Sequence, residues 1–276
     1  HRDLHSFPTR RSSDLEETAD AGWRADGAPG SVWRLTERPS SLSMTGVSKP
    51  AGAVRDLSIC GQTTVSNGSE GVVIACERIH LAQDALSGLV LSASVAGSPL
   101  TIEIEGREKP GAPAKRQPRV GFDSSRASQA VVGALASYSD LSGSLVLTGG
   151  VQFFQPGNPR ASLTCDRLCV RIDPAFLRSE SKRRPALRTA LTGATATGNV
   201  ILNDGEWRIE CDRFEYSAVR SEARLLSETK PVRVIQRNPE TGKPIRAVIV
   251  QTGLVIRADA KEFEFLGAYR IASVSE

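Results

Sequence analysis

The sequence predicts an all-β chain: stacked antiparallel strands in a repetitive, folded-over sheet that stays open along one side. Three observations predict it. Short β-branched runs alternate with turn clusters over most of the chain, a charged tetrapeptide recurs at regular spacing, and the apolar alternation slips by one residue at each recurrence. A chain of 276 residues is ample for a buried core. Hydrophobic residues at 39% and charged residues at 24% describe a globular chain, neither a disordered tail nor a membrane bundle. The longest apolar stretches, such as residues 71–76 and 247–250, fall far short of the roughly 20 residues that cross a bilayer as a helix. The formal net charge of +4 is spread along the chain and leaves no nucleic-acid footprint.

Residues 1–15, HRDLHSFPTRRSSDL, resemble at every position the translation of a common sequencing adapter and are set aside as an artefact. Three mimics go with them: a kinase-like His1-Arg2-Asp3-Leu4, a twin arginine at Arg10-Arg11, and a metal-like pair at His1 and His5. Without Arg2, Arg10, Arg11, Asp3 and Asp14 there remain 32 basic and 29 acidic residues, and His80 is the one histidine left. The native N-terminus, with any signal peptide, is expected to be missing.

Residues 16–52 are rich in Ala, Gly, Ser and Pro, with Trp23 and Trp33 as large anchors, and read as a poorly ordered linker with one strand at 31–35. Residues 53–276 read as a β-repeat domain, incomplete at its ends. Its β-branched runs include residues 71–75, 100–104, 145–154, 199–202, 232–236 and 247–257. Between them lie Pro156-Gly157-Asn158-Pro159, Asn203-Asp204-Gly205 and Asn238-Pro239-Glu240-Thr241-Gly242. Residues 124–138 read equally as a helix or as a serine-alanine loop. Gly149-Gly150 reads as a hairpin turn, not as a phosphate-cradling loop.

Internal similarity is the most informative feature. Cys165-Asp166-Arg167-Leu168 matches Cys211-Asp212-Arg213-Phe214, and both match Cys76-Glu77-Arg78-Ile79. The first two are preceded by matching turns, Thr148-Gly149-Gly150-Val151 and Thr197-Gly198-Asn199-Val200. Ala260-Lys261-Glu262-Phe263 is a weaker fourth copy, and the spacing between positions 76 and 165 leaves room for a degenerate one near residues 118–125. Apolar residues alternate up to each charged pair and then change phase: Ile74 and Cys76, then Ile79 and Leu81; Leu163 and Cys165, then Leu168 and Val170; Ile209 and Cys211, then Phe214 and Tyr216; Ala258 and Ala260, then Phe263 and Phe265. On a regular strand such a slip turns the second half inside out. A bulge or corner at the charged pair restores the inward direction and points Asp166-Arg167 and Asp212-Arg213 outward. Repeated corners imply strands stacked in register and turning at one common edge.

At these residues the sequence resembles the OstA/LptA β-jellyroll family of lipopolysaccharide transport. Residues 196–216 fit the family repeat best, 148–170 next and 248–265 more loosely; the likeness spans about 145–275, and 54–105 weakly. Cys stands in the slot where the family more often carries Ala or another small residue. The resemblance implies a twisted, folded-over jellyroll, open along one side, whose apolar interior holds lipopolysaccharide acyl chains in the periplasm. It implies no cofactor and no covalent chemistry, with lipid A as ligand and other jellyroll domains as partners through edge-strand addition. On this chain the implied groove lining is Val151, Phe153, Leu163, Leu168, Val200, Leu202, Trp207, Ile209, Phe214, Tyr216, Phe263 and Phe265. An acyl chain of about a dozen methylenes moved from water into such a groove gains on the order of 8–10 kcal/mol before ordering costs.

The singled-out residues carry competing readings. Cys165 and Cys169 are four apart, about 13 Å along a strand, too far to share a disulfide or a metal. Small buried residues at a crowded repeat slot is the favoured reading of the cysteines. A ladder of disulfides among Cys76, Cys165 and Cys211 is the alternative, since neighbouring strands sit about 4.8 Å apart. No metal set is expected with one histidine remaining. No Ser-His-Asp arrangement assembles, and Glu103 and Glu105 read as an exposed strand face, so the chain is read as a non-enzyme. Arg178, Lys182, Arg183 and Arg184, with Arg188, form a basic insertion: either a solvated loop or a rim that attracts lipid phosphates. Trp207 is either a core anchor or a residue at the groove mouth. Two function classes follow, a periplasmic lipid-transport module and a structural β-repeat of a larger envelope protein with a sealed core and no ligand.

Overall fold

The computed structural model describes residues 17–18, 22–26, 32–35, 41–49, 52–67, 72–84, 90–104, 129–155, 158–173, 191–238, 241–257 and 262–273. All regular secondary structure among them is β, in a single antiparallel sheet. Eight long strands form its body: β5 (Gly52–Asn67), β6 (Val72–Asp84), β7 (Val90–Ile104), β8 (Gln129–Ser139), β9 (Ser144–Gln155), β10 (Asn158–Ile172), β11 (Leu191–Asp204) and β12 (Trp207–Ser217). Before them come β1 (Glu17–Thr18), β2 (Gly22–Asp26), β3 (Val32–Leu35) and β4 (Ser41–Lys49). After them each rung is divided in two: β13 (Glu222–Leu226) with β14 (Val232–Arg237), β15 (Pro244–Val250) with β16 (Gly253–Arg257), and β17 (Glu262–Leu266) with β18 (Tyr269–Ser273). Each rung pairs with the rung before it and the rung after it.

The ladder breaks at the same place in successive pairs: at Cys60/Thr63, Ala75/Arg78, Ala96/Leu100, Val132/Leu135, Cys165/Arg167 and Thr197/Val200. β12 then pairs with β13 on one side of its break and with β14 on the other. These aligned breaks form a crease that folds the sheet into a left half (β5 before Cys60, β6 after Arg78, and so on) and a right half. Among the described residues no strand pairing joins the two free margins, so the folded sheet is open opposite the crease.

Side-chain alternation fills the fold. In the left half one in-register row runs Ile59, Ile79, Val95, Ala136, Leu147, Leu168, Ala196, Phe214, Leu225, Leu254 and Phe265. Its counterpart in the right half runs Val65, Ile74, Ile102, Val131, Phe153, Leu163, Leu202, Ile209, Val234, Val248 and Ile271. At the crease itself Thr63, Cys76, Leu100, Val151, Cys165, Val200, Cys211, Val232 and Val250 supply one buried side chain in each rung from β5 to β15 except β8, where Gly133 stands. Members of these rows form one core cluster. Each fully buried Leu or Val contributes about 1.5–3 kcal/mol, so the crease is where the fold is held.

Several sequence expectations are corrected. Residues 129–139, within the stretch read as helix or loop, are strand β8, because pairing with β7 and β9 on both sides overrides the weak β-propensity of its alanines. Residues 118–125 lie outside the described residues; the degenerate copy's corner is at Gly133-Ala134, in the β8 register break. Gly149-Gly150 is a crease corner within β9, not a hairpin turn. Of the fourth copy, Ala260 and Lys261 lie outside the described residues and Glu262 and Phe263 open β17, while the corner of the last rung is at Gly267-Ala268. Residues 16–52, read as a linker with one strand, carry β1 to β4. Residues 1–15 and the basic insertion at Arg178, Lys182, Arg183 and Arg184 lie outside the described residues. Among the described residues no helix is long and apolar enough to cross a membrane.

Candidate functional site

The inward face exists because each strand turns at the crease without losing its phase, and from β9 to β12 two kinds of corner alternate to achieve this. Strands running left to right use residues with positive φ: Gly149 and Gly150 in β9 (88° and 68°), Gly198 and Asn199 in β11 (77° and 47°). Only glycine, and Asn at lower frequency, adopts that region without steric cost. In β6, β10 and β12, which run right to left, Glu77, Asp166 and Asp212 stand at the corner, and Asp166 and Asp212 serve the neighbouring rung. Asn199 Nδ2 donates to Asp166 Oδ2 at 3.1 Å. A Cβ added to Gly198 would lie 2.3 Å from the same oxygen. Asp212 accepts the backbone N–H groups of Glu228, Thr229 and Lys230 at 2.8, 2.5 and 3.0 Å, and so caps the loop between β13 and β14. The Thr229 and Lys230 N–H groups hold its carboxyl down at about 2, below the usual 3.8. The charged pairs that mark the repeat are therefore corner pieces on the outside of the fold.

All of the expected groove residues fall on inward rows. Val151 and Val200 lie at the crease; Leu168, Phe214 and Phe265 lie in the first left row, and Phe153, Leu163, Leu202 and Ile209 in the first right row. Tyr216 and Phe263 lie one row further out on the left and Trp207 one row further out on the right. The inward face also includes fully buried Leu100, Leu147, Leu225, Val232, Val250 and Leu254, which the repeat pattern does not mark. The alternation of residues 223–225, 232–234 and 248–250 is their sequence signal.

Burial is graded from the crease outward. Crease and first-row side chains from β8 to β16 are mostly buried, whereas Leu57, Leu81, Ala93, Tyr138, Leu145, Val170, Ala194, Tyr216, Ala223 and Ile256 in the next left row are half-buried. The interior is thus an apolar wedge, sealed at its base and partly exposed at its mouth. Thr63 is the one buried polar side chain among the described residues. Near the last rung aromatic rings meet across the wedge: Trp207 against Phe263 at 6.4 Å, and Phe265 stacked on Tyr269 at 4.7 Å. Two cavities, of about 440 and 330 Å³, lie elsewhere. One is on the outside of the crease beside Cys60, Gln62, Glu77 and Arg78; the other is on the outer left face among Ser92, Ser94, Ser137, Ser139 and Ser144.

The disulfide ladder is overturned by register. Val200 of β11 stands between Cys165 and Cys211, and Leu100, Gly133 and Val151 stand between Cys76 and Cys165, so none of the five cysteines is in a disulfide. Burial pushes the Cys76 and Cys165 thiols up to about 11 and Cys211 up to about 12. Their thiolates are scarce at neutral pH, as for structural cysteines. His80 is exposed on the outer face between Ser58 and Ser94. Among the described residues no three His, Cys, Asp or Glu side chains are grouped to hold a metal.

No family model matches the chain. No curated protein matches it. Among solved structures, a similar chain is LptH from Pseudomonas aeruginosa, described as the LptA-homologous periplasmic component of the lipopolysaccharide transport device. The two share 12% identity at a TM-score of 0.33, over 55% of this chain and 90% of that one.

Proposed function

We propose that this chain is a periplasmic lipid-binding module that carries lipopolysaccharide acyl chains in its apolar wedge toward the outer membrane, without covalent chemistry. One observation supports the reading most. Inward rows of Val, Ile, Leu and Phe run unbroken from rung to rung and grade from fully buried at the crease to half-exposed at the mouth. A lipid chain gains from such a surface in proportion to the area it covers and needs no fixed polar partner, so it is free to slide along the rows. The last rung supports stacking with a further jellyroll domain. Phe263, Phe265, Tyr269 and Ile271 are 37–64% exposed there, and among the described residues β17 pairs only with β16 and β18 only with β15.

The sealed structural repeat is the second reading. It is favoured by the fully buried Leu100, Leu147, Leu225 and Leu254. Lipid binding then requires the two halves to part at the mouth. Titration of lipid A against the folded chain carrying a fluorescent acyl probe separates the two. Saturable displacement that survives high salt is expected for the transport module; a folded chain that takes up neither probe nor lipid A would establish the sealed repeat.

A further inference from the structure

Two lips bound the mouth of the wedge, and among the described residues no strand pairing joins them. A ring contact joins them at one place. Trp207 opens β12 on the right lip, one row outside Ile209, and Phe263 lies in β17 on the left lip, one row outside Phe265. Their ring centroids are 6.4 Å apart with the planes at 41°, inside the range of attractive tilted pairs. The other ring pair among the described residues, Phe265 on Tyr269, stacks across the corner of a single rung. Trp207 and Phe263 belong to different rungs. From β12 the left half continues through β13 and β16 to β17, so the contact ties the right lip at β12 to the left lip at β17. The twist of the strands shears one lip past the other and brings these two residues opposite. One jaw is fixed and the other is not. The Trp207 N–H donates to Asp204 Oδ1 at 2.7 Å, and its side chain packs against the buried core. Phe263 is 43% exposed, on a strand whose one partner among the described residues is β16.

We propose that Trp207 and Phe263 form a clasp that gates the mouth of the wedge between β12 and β17. An acyl chain reaches the buried Leu225, Leu254 and Val234 beneath it when Phe263 moves away and the rings part. The inference rests on the wedge being a lipid site and adds to it where the mouth is held shut and how a chain enters. Side chains alone make the contact, so parting it breaks no hydrogen bond of the strand ladder. The two rings suit both states. Closed, each ring covers the other; open, the same faces lie against the methylenes of the chain, which covers again the apolar area that parting exposes. A residue that only lines the wedge holds a bound chain back and slows its exit. A clasp slows entry as well, because the rings must part before the chain can pass.

Stopped-flow quenching of indole emission by dibromostearic acid in the full chain tests this, since bromine quenches on contact and Trp207 stands at the clasp itself. The share of the quench that Trp207→Phe removes is the signal at the clasp. In Phe263→Ala the entry rate read from that signal is expected to rise roughly fivefold, the order of effect that loss of one aromatic pair has on an opening equilibrium. Phe263 is exposed enough for this variant to fold, which the β-sheet circular dichroism signal checks. Quenching of Trp207 in Phe263→Ala but not in the parent also supports the clasp. An unchanged entry rate in Phe263→Ala, with faster exit or without it, makes Phe263 a lining residue, overturns the clasp and leaves the wedge intact. So does uptake of a fluorescent acyl probe by a chain whose Trp207 is quenched in neither protein. Failure of both proteins to take up either ligand overturns the wedge reading and the clasp with it.

Discussion

Gly198 and Gly150 share a backbone conformation, at φ 77° and 68°, but not their surroundings. A Cβ on Gly198 runs into the Asp166 side chain, whereas nothing lies within 4 Å of one on Gly150. Gly150→Ala therefore meets the conformational penalty alone, about 1 kcal/mol. Gly198→Ala meets that penalty and also displaces the Asp166 carboxylate from Asn199. Urea melts of the two variants are expected to differ clearly, and coincident curves would show that the Asp166 contact carries no weight. The cysteines give a second test. Cys76, Cys165 and Cys211 should resist iodoacetamide in the folded chain at neutral pH, while half-buried Cys169, between Val146 and Thr195 on the outer face, should react first. Alkylation of Cys165 as fast as Cys169 would contradict its inward placement.

A strand here is legible through its period, and its corner through the break in that period. β10 and β12 announce both, because Cys-Asp-Arg interrupts a strict apolar alternation. β8 announces neither: Gly133-Ala134 is an uncharged corner in a run of small residues, and its pairing with β7 and β9 is what makes it a strand. The divided rungs, β13 with β14 and β15 with β16, hide their corners in ordinary loops, at Ser227 to Pro231 and Gln251-Thr252. One of those loops is held by Asp212, and this makes the element sensitive to acid. The folded-state value of about 2 lies below the ordinary 3.8, so the stabilisation is complete above the ordinary value and is lost as pH falls from there toward 2. Asp212→Asn is expected to be less stable at neutral pH and to show a shallower loss of stability between pH 4 and 2. Thermal melts over that range check it, and parallel profiles for the two proteins would remove Asp212 from the crease's acid response.

Across the whole molecule, each rung touches its neighbours and the two halves meet along the crease, so stability is a sum of rung-to-rung contacts around one apolar wedge. The gradient of burial predicts a gradient of mutational cost. Leu225→Ala, fully buried in the first left row, is expected to cost about 2–5 kcal/mol by urea denaturation. Leu81→Ala, half-buried at the mouth, is expected to cost about 1 kcal/mol. Equal costs would mean that the mouth is as tightly closed as the crease. Ile209→Asp places an unpaired charge in the right-hand row at a position 8% exposed and is expected to prevent folding, read as loss of the β-sheet circular dichroism signal. A folded Ile209→Asp variant with unchanged lipid uptake would refute the inward row.

On the rungs that carry the charged corner, the sequence by itself determined which side chains face inward. Alternation along a strand is a local property, and the one-residue slip at Cys76, Cys165 and Cys211 marks where the chain must turn to keep its apolar face on one side. Tertiary structure decided what depends on partners distant in the chain. It made residues 129–139 a strand, kept the cysteines apart with intervening rungs, and joined Trp207 to Phe263 across the mouth. Period survives in a single stretch of sequence, whereas register, closure of the wedge and neutralisation of charge arise between strands that the sequence does not place side by side.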